Sequence, residues 1–176
     1  TETGYINSMK MCWSSMVTND ASLVYQVPDD YLFVKTGIYE MVDLFHQIKG
    51  DTGVSPFVIP FHHSLFHRSN DFFRYKTQPR MFVGGKLRYW TNTFNIYSTF
   101  MTDKSEFIKH LDAYSSFLKQ DANDPNIDDV LNNLVRKNNV LALVPVNSVA
   151  LHLDDENHID PYMDWRQLWD SIPKIV

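Results

Sequence analysis

Residues 60–67, Pro60-Phe61-His62-His63-Ser64-Leu65-Phe66-His67, carry the densest group of reactive side chains in the chain. Three histidines within six positions are metal-ligand material, since neutral imidazole suits zinc, copper, nickel and iron. On a helix, His63 and His67 would share a face at i, i+4. Ser64 stands where a zincin has glutamate, so the His-Glu-x-x-His pattern is absent, and the nearest carboxylate is Asp71. The same residues formally supply a hydrolase set: Ser64 as nucleophile, His62, His63 or His67 as base, and Asp71 as orienter. That chemistry needs mutual hydrogen-bond reach and an oxyanion hole, and no Gly-x-Ser-x-Gly elbow surrounds Ser64 to build them. The simpler reading is a histidine-rich loop packed among phenylalanines.

Two further groups have the right residue types. Asp154-Asp155-Glu156, near His152, His158 and Asp160, offers oxygen ligands for a divalent cation, with Asp154 and Asp155 as the acidic candidates beside His63 and His67. It lacks the spaced ligands and central glycine of an EF-hand loop and reads as a solvated acidic turn. Lys76, Arg80, Lys86 and Arg88 interleave with Tyr75, Phe82, Tyr89 and Trp90, a mixture able to stack and clamp single-stranded nucleic acid. A net charge of −5 gives no general electrostatic attraction to nucleic acid or to anionic membrane. Gly84-Gly85 runs into a strand, with no dinucleotide or Walker pattern after it, and fits a bulge or a close backbone approach. None of these groups amounts to a catalytic signature, and no cofactor or metal is assigned.

The elements that must position these residues follow from composition and period. The chain has 176 residues, 44% hydrophobic and 14% aromatic. That suffices for one domain, 1–176, burying roughly two-thirds of its unfolded surface. Cys12 is the only cysteine. It excludes an internal disulfide and a thiolate zinc site within one chain, and it reads as a buried structural thiol. A reducing intracellular compartment or a virion therefore suits the chain better than disulfide-rich secretion. No apolar run approaches the roughly 18–20 residues of a membrane span. The opening Thr1-Glu2-Thr3-Gly4 fits a processed product, an excised domain or vector-encoded residues, and is set aside.

The first third reads as extended, with strands at Ser22–Val27 and Tyr31–Val34 parted by the turn former Pro28-Asp29-Asp30. Ile38, Met41, Val42, Phe45 and Ile48 then fall at helical spacing, with Thr36 to cap the start and Gly50 the end. Residues 51–80 read mostly as loop, with a short extended piece at Phe57–Phe61. From Arg80 to Met101 the pattern predicts one long strand. Its apolar set changes parity between Leu87/Tyr89 and Phe94/Ile96, which calls for a bulge or twist. Asp103-x-x-Glu106 opens a helix over 104–119, and Asp124-Pro125 another over 125–137, stopped by Asn138-Asn139. Val140–Leu153 returns to strand, with Pro145 marking a bend or a sheet edge. Asp160-Pro161 opens a terminal helix with an aromatic face that includes Trp165 and Trp169. The fold class is α+β: a bent antiparallel sheet with about four helices, the longest in the second half.

Asn70-Asp71-Phe72-Phe73-Arg74-Tyr75, followed by Met81-Phe82-Val83-Gly84-Gly85-Lys86-Leu87-Arg88-Tyr89, resembles a segment of picorna-like virus capsid proteins. There an aromatic, glycine-bearing stretch leads into a strand ending in Arg-Tyr. The helix at Gly37–Lys49 is placed similarly, and the resemblance spans about a third of the chain. Val83 departs from the family pattern, which has arginine before the glycine. The resemblance implies a self-assembling structural subunit without an active site, and an alternative fold: a capsid-type jelly roll with inserted helices.

The sequence thus points to a non-enzymatic structural or protein-interaction domain, viral or capsid-like if the resemblance holds. It would work through protein partners or self-association, with Trp90, Trp165 and Trp169 as interface candidates. Two alternatives stand beside it: a hydrolase or metal-dependent enzyme centred on 62–67, and a single-stranded nucleic-acid-binding module using 75–90.

Overall fold

A computed structural model describes residues 2–62, 80–93, 96, 99–111, 139–153 and 163–171, with side chains from residue 7 onward. The fold is α+β. Its strands are β1 (Leu23–Gln26), β2 (Tyr31–Phe33), β3 (Phe57–Val58), β4 (Phe82–Gly84), β5 (Tyr89–Thr93), β6 (Phe100–Asp103), β7 (Ala142–Pro145) and β8 (Ala150–His152). Its helices, among the described residues, are α1 (Glu2–Thr18), α2 (Gly37–Thr52), α3 (Lys104–Lys109) and α4 (Trp165–Asp170).

Six strands form one sheet in the order β1-β6-β3-β7-β5-β4, antiparallel except for the parallel β3–β7 pair. β2 and β8 make a separate antiparallel ribbon. Alternation along the strands loads both faces of the large sheet. Val24, Phe57, Phe100, Ala142 and Val144 face one way and pack with Met9, Trp13 and Met16 of α1 and Phe107 of α3. Val58, Trp90, Met101 and Leu143 face the other way, against Met41, Leu44, Phe45 and Ile48 of α2. Helices therefore cover both faces of one sheet. A jelly roll needs two sheets packed face to face, and the described residues do not form that arrangement.

Several expectations are corrected. The first third is not simply extended, because α1 occupies Glu2–Thr18. From residue 7 onward its fully buried stripe is Met9, Trp13 and Met16, at i, i+4, i+7, and is easily lost among serines and lysine. Trp13 is pinned by donating its Nε1–H to Gln26 Oε1 at 2.6 Å. α2 runs through Gly50 and ends at Gly53, whose φ of 73° is the left-handed cap that favours glycine. Its buried stripe is Gly37, Glu40, Met41, Leu44, Phe45 and Ile48, while Ile38 lies exposed.

The single strand expected over 80–101 is instead a hairpin, β4–β5, followed by β6 elsewhere in the sheet. Pro145 lies in an interior strand, not at an edge. It is tolerated because Val146 N–H donates to Tyr89 O, which turns position 145 away from β5 toward the side where β3 has ended. α4 starts at Trp165, capped by Asp164, and the Asp160-Pro161 start expected for the terminal helix lies outside the described residues. Among the described residues α1 and α2 are the longest helices, and the second half of 104–119 and all of 125–137 lie outside the described residues.

Asp103 joins the two halves of the core. It ends β6 and caps α3, accepting from Ser105 N–H at 3.0 Å and from the Ser105 hydroxyl at 2.9 Å, and it pairs with Lys49 of α2. Burial opposes its charge, but the Lys49 ammonium and the two Ser105 donors outweigh that and hold the carboxyl below its ordinary value. A depressed folded pKa stabilises the fold above the unfolded value near ~3.9, and that stabilisation is lost as pH falls through the lower folded value. Asp103→Ala should therefore cost about 1 kcal/mol in urea unfolding at neutral pH. The gap to wild type should close as the pH is lowered through the carboxylate range; a gap that stays constant with pH would contradict this assignment.

Candidate interaction surface

The β4–β5 hairpin is built by local sequence and then fixed by α2. Gly85 N–H donates to Arg88 O at 2.9 Å to close the turn, and Asn92 N–H donates to Met81 O at 3.3 Å at the open end. A Cβ on Gly85 would lie 2.8 Å from Trp90 Nε1 and 3.1 Å from Arg88 O, so only glycine lets the indole pass beneath the turn. Trp90, an interface candidate in the sequence, is fully buried among the α2 side chains.

Three α2 residues at i, i+3, i+7 then receive the hairpin. Glu40 takes the Arg88 guanidinium in a two-point pair, through Nε to Oε2 and through Nη2 to Oε1 at 2.8 Å. Asp43 meets the Lys86 ammonium at 2.7 Å, and Gln47 Nε2 donates to Gly84 O at 3.1 Å. Arg88 also donates from Nη1 to the carbonyls of Asn147, at 2.8 Å, and Ser148, at 3.2 Å, in the turn between β7 and β8. The Arg88 and Glu40 side chains are 20% and 5% exposed, so the pair is mostly out of water.

What the clamp leaves outside is apolar. Phe82, Leu87 and Tyr89 are 62%, 67% and 68% exposed, and Met81 is exposed beside them. Phe82, Gly84, Tyr89 and Thr91 share one face by register, and the Tyr89 ring rests at 3.9 Å from where a Gly84 Cβ would be. Leu87 and Tyr89, which the alternation places on a buried face, thus point to solvent. Trp90 takes the inward position because its larger surface gains more from burial. A second aromatic surface lies on α4, which buries none of its residues and exposes Trp165 and Trp169.

Of the residues with catalytic or metal-binding types, His62 is described: it is buried, and its backbone N–H donates to Ser148 Oγ at 2.9 Å. His63, Ser64, His67, Asp71, Asp154 and Asp155 lie outside the described residues. Among the described residues no three His, Cys, Asp or Glu side chains gather as a metal site. His152 meets Asp30 at 3.0 Å and stacks on Tyr31, with ring centroids 4.7 Å apart. Cys12 is part-buried against the α1 core, and burial pushes its thiol up, away from thiolate chemistry at neutral pH. An open cavity of about 390 Å³ lies between α4 and the 146–148 turn, lined by Val34, Arg88, Ser148, Asp164, Gln167 and Leu168. Of the basic cluster, Lys86 and Arg88 are committed to Asp43 and Glu40. No helix among the described residues is long and apolar enough to cross a membrane.

The Glu40–Arg88 pair is absent from the sequence reading. A signal was present, however: Glu40 is the one acidic residue in the buried stripe of α2, and a buried carboxylate requires a cation to meet it. The chain matches no protein-family model, no curated protein and no solved structure.

Removing one partner of this pair leaves the other charge buried. Glu40→Ala should cost about 3 kcal/mol in urea unfolding, while Glu40→Met with Arg88→Met should recover most of the loss. Equal losses in the single and double variants would contradict a coupled pair.

Proposed function

We propose that this domain is a non-enzymatic structural or interaction module that works by surface contact, with self-association as its mode. The observation that carries the reading is the hairpin of Met81, Phe82, Leu87 and Tyr89, held outward by the Arg88–Glu40 clamp. Together these side chains expose on the order of 400 Å² of largely apolar surface, a size that marks contact sites on soluble proteins. Fixing such a surface through a mostly buried ion pair keeps it presented, where an untethered apolar hairpin would fold back onto the core. The exposed tryptophans of α4 add a second contact area of the same chemistry.

Within this class the finer proposal is a capsid-like, self-assembling subunit. It is supported by the similarity of Met81–Tyr89, the hairpin itself, to the picorna-like capsid segment. The helices on both sheet faces depart from the capsid jelly roll, so the proposal concerns assembly through this hairpin rather than the capsid fold.

The test is static light scattering against concentration. Wild type should gain apparent mass as concentration rises. Tyr89→Lys combined with Trp169→Lys should stay flat, with stability changed by no more than about 0.5 kcal/mol because both sites are on the surface. A wild-type mass that does not move with concentration would overturn the self-association reading.

A further inference from the structure

We infer that two copies of this chain pair edge to edge through β4, antiparallel about a two-fold axis at Phe82, joining two six-stranded sheets into one of twelve. The inference rests on the surface-contact reading and names its geometry. Among the described residues β4 ends the sheet order, and its hydrogen-bonded partners fall at Gly85–Arg88 and Met81–Asn92. By alternation Val83 also faces β5, so Phe82 and Gly84 turn their backbone groups outward. Phe82 N–H and C=O have no partner among the described residues. An outer row of this kind is a template for another strand.

Two features select a second copy of the chain over an unrelated extended peptide. The first is that the open edge is short. Gln47 already occupies Gly84 O, closing the row at the turn end, so a long incoming strand cannot continue its ladder there. A two-fold centre at Phe82 uses what remains, because each Phe82 N–H donates to the Phe82 carbonyl of the other copy and the incoming edge is as short as the one it meets. The second is charge and shape. In that register Arg80 faces Gly84 of the other copy and no cation meets a cation, while Lys86 stays paired with Asp43. The two Phe82 rings come together on one face of the joined sheet, flanked by the two Tyr89 rings. Phe82 and Tyr89 of each copy bring roughly 300 Å² of exposed side chain, well under the ~800 Å² per partner of a standard stable interface. The pairing is therefore reversible and appears as concentration rises.

The experiment is sedimentation velocity over a wide concentration range with wild type and Phe82→Pro. Proline removes an N–H that faces outward and is tolerated on an edge strand, so the monomer keeps its fold by circular dichroism. Its dimerisation should weaken at least about tenfold. A second arm does not depend on that variant folding. With Cys12→Ser as background, Phe82→Cys should give a disulfide dimer under mild oxidation, since residues opposed at the axis have Cα atoms about 5.5 Å apart, within disulfide range. Leu87→Cys, at the turn and away from the axis, should cross-link far less. If wild type associates while Phe82→Pro associates equally and Phe82→Cys cross-links no better than Leu87→Cys, the β4 axis is wrong and the surface-contact reading stands. If wild type stays monomeric throughout, both fall together.

Discussion

The guanidinium of Arg88 is the point on which the described structure turns. One planar group binds the carboxylate of Glu40 on α2 and the carbonyls of Asn147 and Ser148 between β7 and β8, while the Arg88 main-chain carbonyl accepts from Gly85 N–H to close the hairpin turn. Lysine could not replace it, because a single ammonium cannot present a rigid fork to a carboxylate and two further acceptors at once. Taking these charges largely out of water costs several kcal/mol, which the two-point pair and the two carbonyl bonds offset. Such a pair contributes little net stability. It sits in a packing that has Trp90 inward and Tyr89 and Phe82 outward.

That choice of side is also what the sequence conceals. The period-2 alternation from Lys86 to Thr93 is legible as strand, but its phase is not. Tyr89 and Trp90 are adjacent aromatics, and which of them is buried depends on α2 packing against the sheet, where the larger indole gains more. The Gly84-Gly85 pair is legible as a close backbone approach, and the approaching group proves to be the Trp90 indole. α2, β1, β2 and the turn between them follow from local pattern, since each uses strong propensity or turn signals. α1 does not, because three buried positions on methionine and tryptophan leave a faint period. The single long strand becomes a hairpin for a reason local patterning cannot hold: whether a chain reverses at Gly85-Lys86-Leu87-Arg88 depends on Glu40, Asp43 and Gln47, some 40 residues earlier in the chain. The residues with reactive types were the most visible in sequence. The contact surface was visible only as an aromatic-rich stretch.

The same three α2 residues give the edge a dual character. Gln47 and the Lys86–Asp43 pair guard the turn end of β4, as natural proteins do to limit indiscriminate strand pairing. Phe82 is left open in the middle. If two copies pair there as proposed, an edge closed at one end and apolar at its centre admits one short register and excludes sliding.

Arg88 holds the hairpin against α2, and its apolar face is outward. Native-state amide hydrogen exchange on Arg88→Met tests it most directly. Protection of the Val83, Gly85, Trp90 and Asn92 amides should fall while that of the β1–β6 and α2 amides stays near the wild-type level, the mark of local opening. Unchanged protection at those four amides, or an equal loss across the whole core, would contradict it.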